Sequence, residues 1–198
     1  MRSLSARHDV AAAAIDAANA DDPTVVLVRG QRLPLALAHG RLAAAWVQQM
    51  HLDAHETWLL AARAHHLRRW EVPRQSYPAG RAGYLKWRRD QKARHAGDVA
   101  QLLVAAGYSG DEVERVQTIL RRDRLSSDDG QQAVEDAACL VFLETQLADV
   151  AKRMEHGLLI DVLRKTARKL SAAGAAAIAD IPLGDEERAL LTEALAPD

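Results

Sequence analysis

The segment Ala133-Val-Glu-Asp-Ala-Ala-Cys-Leu-Val-Phe-Leu143 decides the fold prediction for this chain. It lies within residues 131–154, the most strongly apolar helical stretch, and its alanines and leucines favour helix over strand. We predict a central helix over about 131–154. Asp136 precedes Leu140, Leu143 and Leu147 at helical spacing, so its carboxylate is expected on the buried face. Glu135 points in a different direction.

The composition predicts an all-α protein. The chain has 198 residues, of which 48% are hydrophobic and only 4% aromatic. β-Branched residues are sparse outside residues 24–28, so helix propensity dominates. This length supports one self-sufficient core. We predict a single helical domain over residues 1–198, a bundle with its core at about 4–174 and a short C-terminal helix at about 185–195.

Apolar periodicity and capping patterns locate the remaining helices. We predict an extended piece near 24–28 and a loop at 71–80, where two prolines and a glycine break the pattern. The patterns Asp53-x-x-Glu56 and Ser109-x-x-Glu112 are typical of capping boxes. Helices are predicted over about 4–19, 35–50, 53–70, 81–106, 109–122, 158–173 and 185–195.

Charge and cysteine content give no sign of a membrane or secreted protein. The net charge is -1 and the pI is near 6.7, which provides no global attraction to nucleic acid or anionic lipid. Cys139 is the single cysteine and excludes a disulfide within the chain. No apolar stretch reaches the roughly 18 residues that a membrane span requires. We predict a cytoplasmic protein with no membrane association.

Four helices each carry a metal-binding type of side chain on their apolar face. A single such histidine is more often a core residue that donates to a carbonyl. A buried carboxylate is harder to explain in this way, because it must be paired or coordinated. Imidazole and carboxylate groups from separate helices suit one divalent transition metal, such as Mn, Fe, Co, Ni or Zn. The candidate ligands are His39, His65, His66, His95 and Asp136.

The order of these residues resembles the histidine/aspartate (HD) domain superfamily of metal phosphohydrolases. The stretches Ala61-Ala-Arg-Ala-His-His-Leu67 and His95-Ala-Gly-Asp-Val-Ala-Gln-Leu-Leu103 look like two of its motifs. The resemblance implies the HD fold and a metal held by His39, His65 or His66, His95 and the catalytic Asp136. Glu135, next to Asp136, is expected to take part in catalysis by orienting the nucleophile or a ligand. His66 stands where the HD signature has aspartate, and Arg121-Arg122 stands where many HD enzymes have another histidine. These departures favour one metal, or none, over two.

A closer resemblance is to an uncharacterised family, domain of unknown function 4202. It covers roughly Ala14 to Met154 and implies no established activity. The stretches that carry it are Arg63-Ala-His-His-Leu-Arg-Arg-Trp70, Pro73-Arg-Gln-Ser-Tyr-Pro78, Gly80-Arg-Ala-Gly-Tyr-Leu-Lys-Trp-Arg88 and Glu135-Asp-Ala-Ala-Cys-Leu-Val-Phe-Leu143.

Basic residues are concentrated between Arg63 and Arg94. This segment holds ten Lys and Arg residues against Glu71 and Asp90, a local charge of +8 that leaves -9 for the remaining chain. Arginine binds phosphate oxygens in bidentate fashion, so a phosphate-bearing substrate is expected. The alternative is a solvated basic face that pairs with the acidic remainder. The predicted substrate-binding residues are Arg69, Arg74, Arg81, Lys86 and Arg88.

Two functions follow from these patterns. The first is a single-metal phosphohydrolase that acts on a small phosphate ester or a nucleotide, with metal-bound water as the nucleophile. The second is a catalytically degenerate HD-like scaffold that binds a nucleotide, RNA or a protein partner without chemistry. The expected partner is a phosphate-bearing small molecule, and nucleic acid is not favoured. The sequence leaves the oligomeric state open.

Overall fold

A computed structural model describes residues 4–122 and 127–196 of the chain. Over these residues it contains ten α-helices and one two-stranded antiparallel sheet, so the predicted all-α class is confirmed with a small hairpin added. Three short 3-10 helices cover residues 69–71, 74–76 and 178–180. The elements are α1 (Ala6–Asn19), β1 (Val25–Val28), β2 (Gln31–Pro34), α2 (Leu35–Met50), α3 (Glu56–Ala64), α4 (Gly80–Ala105), α5 (Gly110–Arg121), α6 (Asp129–Thr145), α7 (Leu147–Ala151), α8 (His156–Ala167), α9 (Ala172–Ala177) and α10 (Asp185–Leu195).

The predicted extended piece is the first strand of a hairpin. β1 pairs with β2 in the register Val25 to Pro34 and Val28 to Gln31. The two-residue turn consists of Arg29 and Gly30, which both have positive φ, as type I′ hairpin turns require. The hairpin leads directly into α2 and forms part of the wall of a cavity described below.

One hydrophobic cluster joins the helices from α1 to α10. Its fully buried side chains include Trp46 of α2, Leu60 of α3 and Leu140 of α6. α2 and α3 approach closely at Gly40, where an added Cβ would lie 2.4 Å from the Arg63 carbonyl oxygen. α10 packs on α8 and contributes Leu191 to the same cluster. Among the described helices, none combines the length and the apolar character needed to cross a lipid bilayer.

Several predicted helix bounds are confirmed. α2 and α10 span the predicted 35–50 and 185–195. The capping box before α5 is also present: Ser109 Oγ accepts from the Glu112 amide at 3.4 Å, and Glu112 accepts from the Ser109 amide at 2.9 Å. Local signals were sufficient at these positions because the helix ends are fixed by nearby residues.

The predicted helix over 53–70 is wrong at both ends. α3 begins after His55, whose Nδ1 accepts from the Thr57 amide, and the carboxylate of Glu56 binds Ser5 and Arg7 instead of forming a box with Asp53. The helix ends at Ala64, and turns at residues 65–68 follow it. A distant part of the chain therefore overrides the local capping pattern.

The predicted central helix is also shorter than expected. α6 ends at Thr145, because Gln146 leaves the helical conformation with φ of -127°, and the short α7 follows. At its start, Asp128 caps α6 by accepting from the Gln131 amide. Gln146, at the break between α6 and α7, lines both of the cavities described below.

Candidate functional site

Four histidines from three parts of the chain surround the centre of the candidate site. His39 lies on α2, His65 and His66 lie in the turn after α3, and His95 lies on α4. His39, His65 and His95 are at most 2% exposed, which confirms that they point inward. His39 Nδ1 is 3.1 Å from His66 Nδ1, and the rings of His65 and His66 stack with centroids 4.0 Å apart. His95 lines the same cavity as His65 and His66.

A chain of hydrogen bonds fixes the tautomers of His39 and His66. The single hydroxyl proton of Thr145 is donated to the Val141 carbonyl at 2.7 Å, so Thr145 Oγ1 must accept from His39 Nε2 at 3.1 Å. His39 then has a bare Nδ1, which accepts from His66 Nδ1. His66 is left with a lone pair on Nε2, which is a Brønsted base or a ligand atom.

His65 carries a second bare nitrogen. Its Nδ1 donates to the Ala62 carbonyl at 2.7 Å, and its buried Nε2 has no hydrogen bond to any described residue. Both ring nitrogens of His95 are also buried, and neither makes a hydrogen bond to a described residue. The Leu67 carbonyl is near enough to oppose the lowering of the His95 pKa that burial causes. A buried polar atom without a partner is unusual in a native fold.

Burial keeps all four imidazoles neutral. Burial, and next the charge of the Arg69 guanidinium, lower the pKa of His39 to about 4 and that of His95 to about 3. Burial also moves the pKa values of His65 and His66 well below the usual range, with added contributions from Arg122 for His65 and from the His65 ring for His66. At neutral pH these rings therefore supply lone pairs and N–H donors but no charge.

The imidazoles of His65, His66 and His95 line a cavity of about 390 Å³ with a strongly basic lining, called the basic cavity below. Six cationic side chains line it against one carboxylate, Glu135. They come from four separate regions of the chain, so the positive charge is assembled by tertiary structure. The six are Arg69, Arg88, Lys92, Arg122, Lys165 and Lys169.

Glu135 is already neutralised by two of these cations. Its Oε2 is 2.8 Å from Arg122 Nη1, and its Oε1 is 3.7 Å from Lys169 Nζ. Burial alone would raise the pKa of Glu135, but Arg122 and Lys169 hold it below its usual value. The Arg122 side chain is 7% exposed, and its Nε is buried without a hydrogen bond to any described residue. A spare guanidinium donor therefore remains beside the cavity.

Arg69 is a largely buried cation, with part of its surface still accessible, and it has no carboxylate partner in the described part of the chain. Its guanidinium carbon lies 4.4 Å from the centre of the Trp87 ring. Burial, together with the charges of the neighbouring Arg88 and Arg122, lowers the pKa of Arg69 to about 10. The group is still charged at neutral pH. An uncompensated buried charge is costly, so an anion in the cavity would stabilise Arg69.

Asp136 does not join the imidazoles. Its carboxylate accepts from Gln132 Nε2 at 2.8 Å, from the Ser171 amide at 3.0 Å and from the Ser171 hydroxyl, at the start of α9. Thr145, the partner of His39, lies nine residues further along α6, which is about 13 Å along the helix axis. The predicted ligand set is therefore divided, and Asp136 anchors α9.

The remaining candidate ligands are not gathered into one group in the described part of the chain. Within residues 4–122 and 127–196, no group of three or more His, Cys, Asp or Glu side chains is arranged to hold a metal ion. Both ring nitrogens of His39 are used by His66 and Thr145, and the stacked rings of His65 and His66 are poorly placed to share one ion.

Burial, and next the charge of Glu135, raise the pKa of Cys139 to about 12, so Cys139 is present as a thiol.

Two of the five predicted substrate-binding residues line the basic cavity, namely Arg69 and Arg88. The other three lie outside its lining. Arg74 donates to the carbonyls of residues 77, 78 and 80, Lys86 pairs with the residue 90 carboxylate at 2.6 Å, and Arg81 is exposed. The prediction missed Lys92, Arg122, Lys165 and Lys169. The last two are four residues apart, which places them on one side of α8 and its C-terminal extension.

A second, larger cavity of about 990 Å³ adjoins the basic cavity and is called the apolar cavity below. The two share His66, Arg69 and Gln146 in their linings. The β1 strand, the start of α2 and the α7–α8 region form the rest of its wall. The shared residues form the boundary at which the two cavities meet.

The sequence matches, over residues 9–191, the family described as "Domain of unknown function (DUF4202)". The chain belongs to this family. The match confirms the closer of the two sequence resemblances and extends beyond the predicted residues 14–154. It includes every residue that lines the two cavities of this DUF4202 chain. Neither the curated proteins nor the solved structures gave a match.

Proposed function

We propose that this DUF4202 chain binds a phosphate-bearing small molecule in the basic cavity. The observation that carries the proposal is the excess of six cations over one carboxylate, because that carboxylate is already paired with Arg122 and Lys169. A phosphate ester would offset the charge of Arg69 and Arg88, which form no ion pair with a described carboxylate, whereas Lys165 pairs with Asp161 at 3.9 Å. Its oxygens would accept from guanidinium groups, for which planar, charge-assisted hydrogen bonds are well suited.

The contribution of Arg69 can be tested by Arg69→Met. Methionine keeps an unbranched apolar stem beside Trp87 but removes the charge. We expect at least a tenfold weaker affinity for inorganic phosphate, measured by isothermal titration calorimetry. The free variant should be more stable than the parent, because the pKa shift of Arg69 corresponds to at most about 3 kcal/mol of unfavourable desolvation.

Arg89→Met is the matched control, since Arg89 is on α4 with its side chain 75% exposed and lies outside the basic cavity. It should change neither the phosphate affinity nor the stability by a measurable amount. A parent protein that does not bind phosphate, or an Arg69→Met variant that binds it with parental affinity, would refute the proposal.

Hydrolysis of the bound ester is a second candidate function, and the bare Nε2 of His66 favours it. This nitrogen would take a proton from water as the water oxygen attacks phosphorus and the P–O bond to the leaving group breaks. The imidazolium would then give that proton to the departing oxygen, so that the alcohol and inorganic phosphate are the products. Arg69 and Arg122 would stabilise the charge that develops on the phosphoryl oxygens. Replacing His66 with Gln should then abolish release of the alcohol from a chromogenic phosphate monoester.

Metal dependence, implied by the HD resemblance, stays a prediction, as does the degenerate scaffold for nucleotide, RNA or protein. Phosphate release measured with chelator, and again after Mn²⁺ or Zn²⁺ is added, separates the hydrolytic possibilities. Release that persists with chelator and is lost in His66→Gln supports His66 as the base. Steeply salt-dependent RNA affinity without phosphate release would support the scaffold instead.

A further inference from the structure

We infer that the apolar cavity receives the organic part of the phosphate ester, so that the ligand is a monoester with a bulky, apolar, uncharged group. This inference rests on the proposed phosphate site and specifies its substrate class. Its starting point is continuity: His66, Arg69 and Gln146 line both cavities. A phosphate held by Arg69 in the basic cavity would therefore have its ester bond at the boundary and its organic group in the larger cavity.

The lining of the larger cavity suits an apolar group. Val25 of β1 is 50% exposed and Leu158 of α8 is 53% exposed, and both belong to this lining. Trp70 and Met154 add an aromatic face and a flexible thioether. Large apolar side chains left in contact with water inside a concavity are typical of small-molecule sites, where a ligand covers them.

The charges of this cavity select against a second phosphate. Besides the shared Arg69, its lining contains three carboxylates and one arginine, which is the opposite balance to the basic cavity. Asp22 accepts from the backbone amides of residues 24 and 36, and Glu155 accepts from those of residues 157 and 158. Asp149 lies 3.9 Å from Arg153, the one additional cation. An anionic group here would meet carboxylates and few free donors.

The difference between the two linings also argues against a small polar ester such as glycerol phosphate. The volume of about 990 Å³ is much larger than the basic cavity, and a small polyol would leave its apolar walls wet. An aromatic monoester would remove those walls from water and would gain affinity in proportion to the apolar area covered. Selectivity for bulky apolar esters is the measurable consequence.

The test compares inorganic phosphate, glycerol 3-phosphate, 1-naphthyl phosphate and fructose 1,6-bisphosphate by calorimetry on the full chain. We expect 1-naphthyl phosphate to bind at least tenfold more tightly than glycerol 3-phosphate, equivalent to about 1.4 kcal/mol. Fructose 1,6-bisphosphate should bind no more tightly than inorganic phosphate. The double variant Val25→Thr/Leu158→Ser should reduce the naphthyl advantage to less than threefold and leave the affinity for inorganic phosphate unchanged.

Val104→Ser is the matched control, because Val104 is a helical residue with 64% exposure that lines neither cavity. It should preserve the naphthyl advantage. If inorganic phosphate binds but the naphthyl and glycerol esters bind equally, this inference is refuted and the phosphate site stands. If no phosphate compound binds, both proposals fail. A naphthyl advantage that survives the double variant would also overturn the assignment of the organic group to this cavity.

Discussion

Lowering the pH should destabilise this protein in a pH range where its carboxylates are still ionised. The pKa of His39 is about 4 and that of His95 about 3 in the folded chain, against about 6.5 for an unfolded histidine. Below pH 6.5 the unfolded chain therefore binds protons that the folded chain does not. The free energy of unfolding must then fall as the pH falls, until the folded-state pKa values are reached.

The magnitude follows from the number of shifted groups. Between pH 6.5 and 5.0, each histidine that protonates only in the unfolded chain removes about 2 kcal/mol of stability. His39 and His95 together therefore remove about 3–4 kcal/mol, and His65 and His66, whose pKa values are also lowered by burial, act in the same direction. Because the whole stability of a domain is about 5–15 kcal/mol, we expect a large part of it to be lost by pH 5.

Urea unfolding followed by circular dichroism at pH 7.5, 6.5 and 5.5 measures this effect. His39→Gln removes one titrating group, so the fall in unfolding free energy between pH 6.5 and 5.5 should become smaller by about 1 kcal/mol. His156→Gln is the control, because the His156 side chain is 61% exposed and solvated in both states. A flat profile in the parent, or an equal slope in His39→Gln and the parent, would refute the assignment of buried neutral imidazoles.

Three further substitutions test the packing around the site by urea unfolding. Ser109→Ala removes the N-cap of α5 and should cost about 1 kcal/mol. Gly40→Ala would place a Cβ 2.4 Å from the Arg63 carbonyl oxygen and should cost about 1–3 kcal/mol as α2 and α3 separate. Ser171→Ala deprives the buried Asp136 carboxylate of a donor and should cost about 1–3 kcal/mol with phosphate affinity unchanged. Weaker phosphate binding in Ser171→Ala would contradict the separation of Asp136 from the site.

Helical periodicity was a reliable guide wherever the determinants were local. It predicted the bounds of α2 and α10 and the burial of His39, His65 and His95, because a 3.6-residue repeat reports which face of a helix is apolar. It failed at Asp53-x-x-Glu56, where the Glu56 carboxylate binds residues about fifty positions earlier in the chain. No pattern around Glu56 contains that information.

In the candidate site, too, the sequence predicted features that depend on neighbouring residues and missed those that depend on distant ones. Periodicity indicated that Asp136 is buried but not which segment covers it, and the covering segment, with Ser171, lies 35 residues away. The local density of Lys and Arg identified Arg69 and Arg88 but also selected Arg74, which holds its own loop. Arg122 was not among the predicted binding residues, because its role depends on contact with α6.

The sequence by itself determined the helical class, most of the helices, the inward histidines and the presence of a basic segment. These properties depend on residues that are neighbours in the chain, so propensity and spacing express them directly. Only the tertiary structure decided that Arg122 and Lys169 pair with Glu135, and that Asp136 binds the start of α9 and not the imidazoles. It also decided that a basic cavity adjoins an apolar one. Those contacts join distant segments, and their free energy depends on burial and geometry that exist only once the helices have packed.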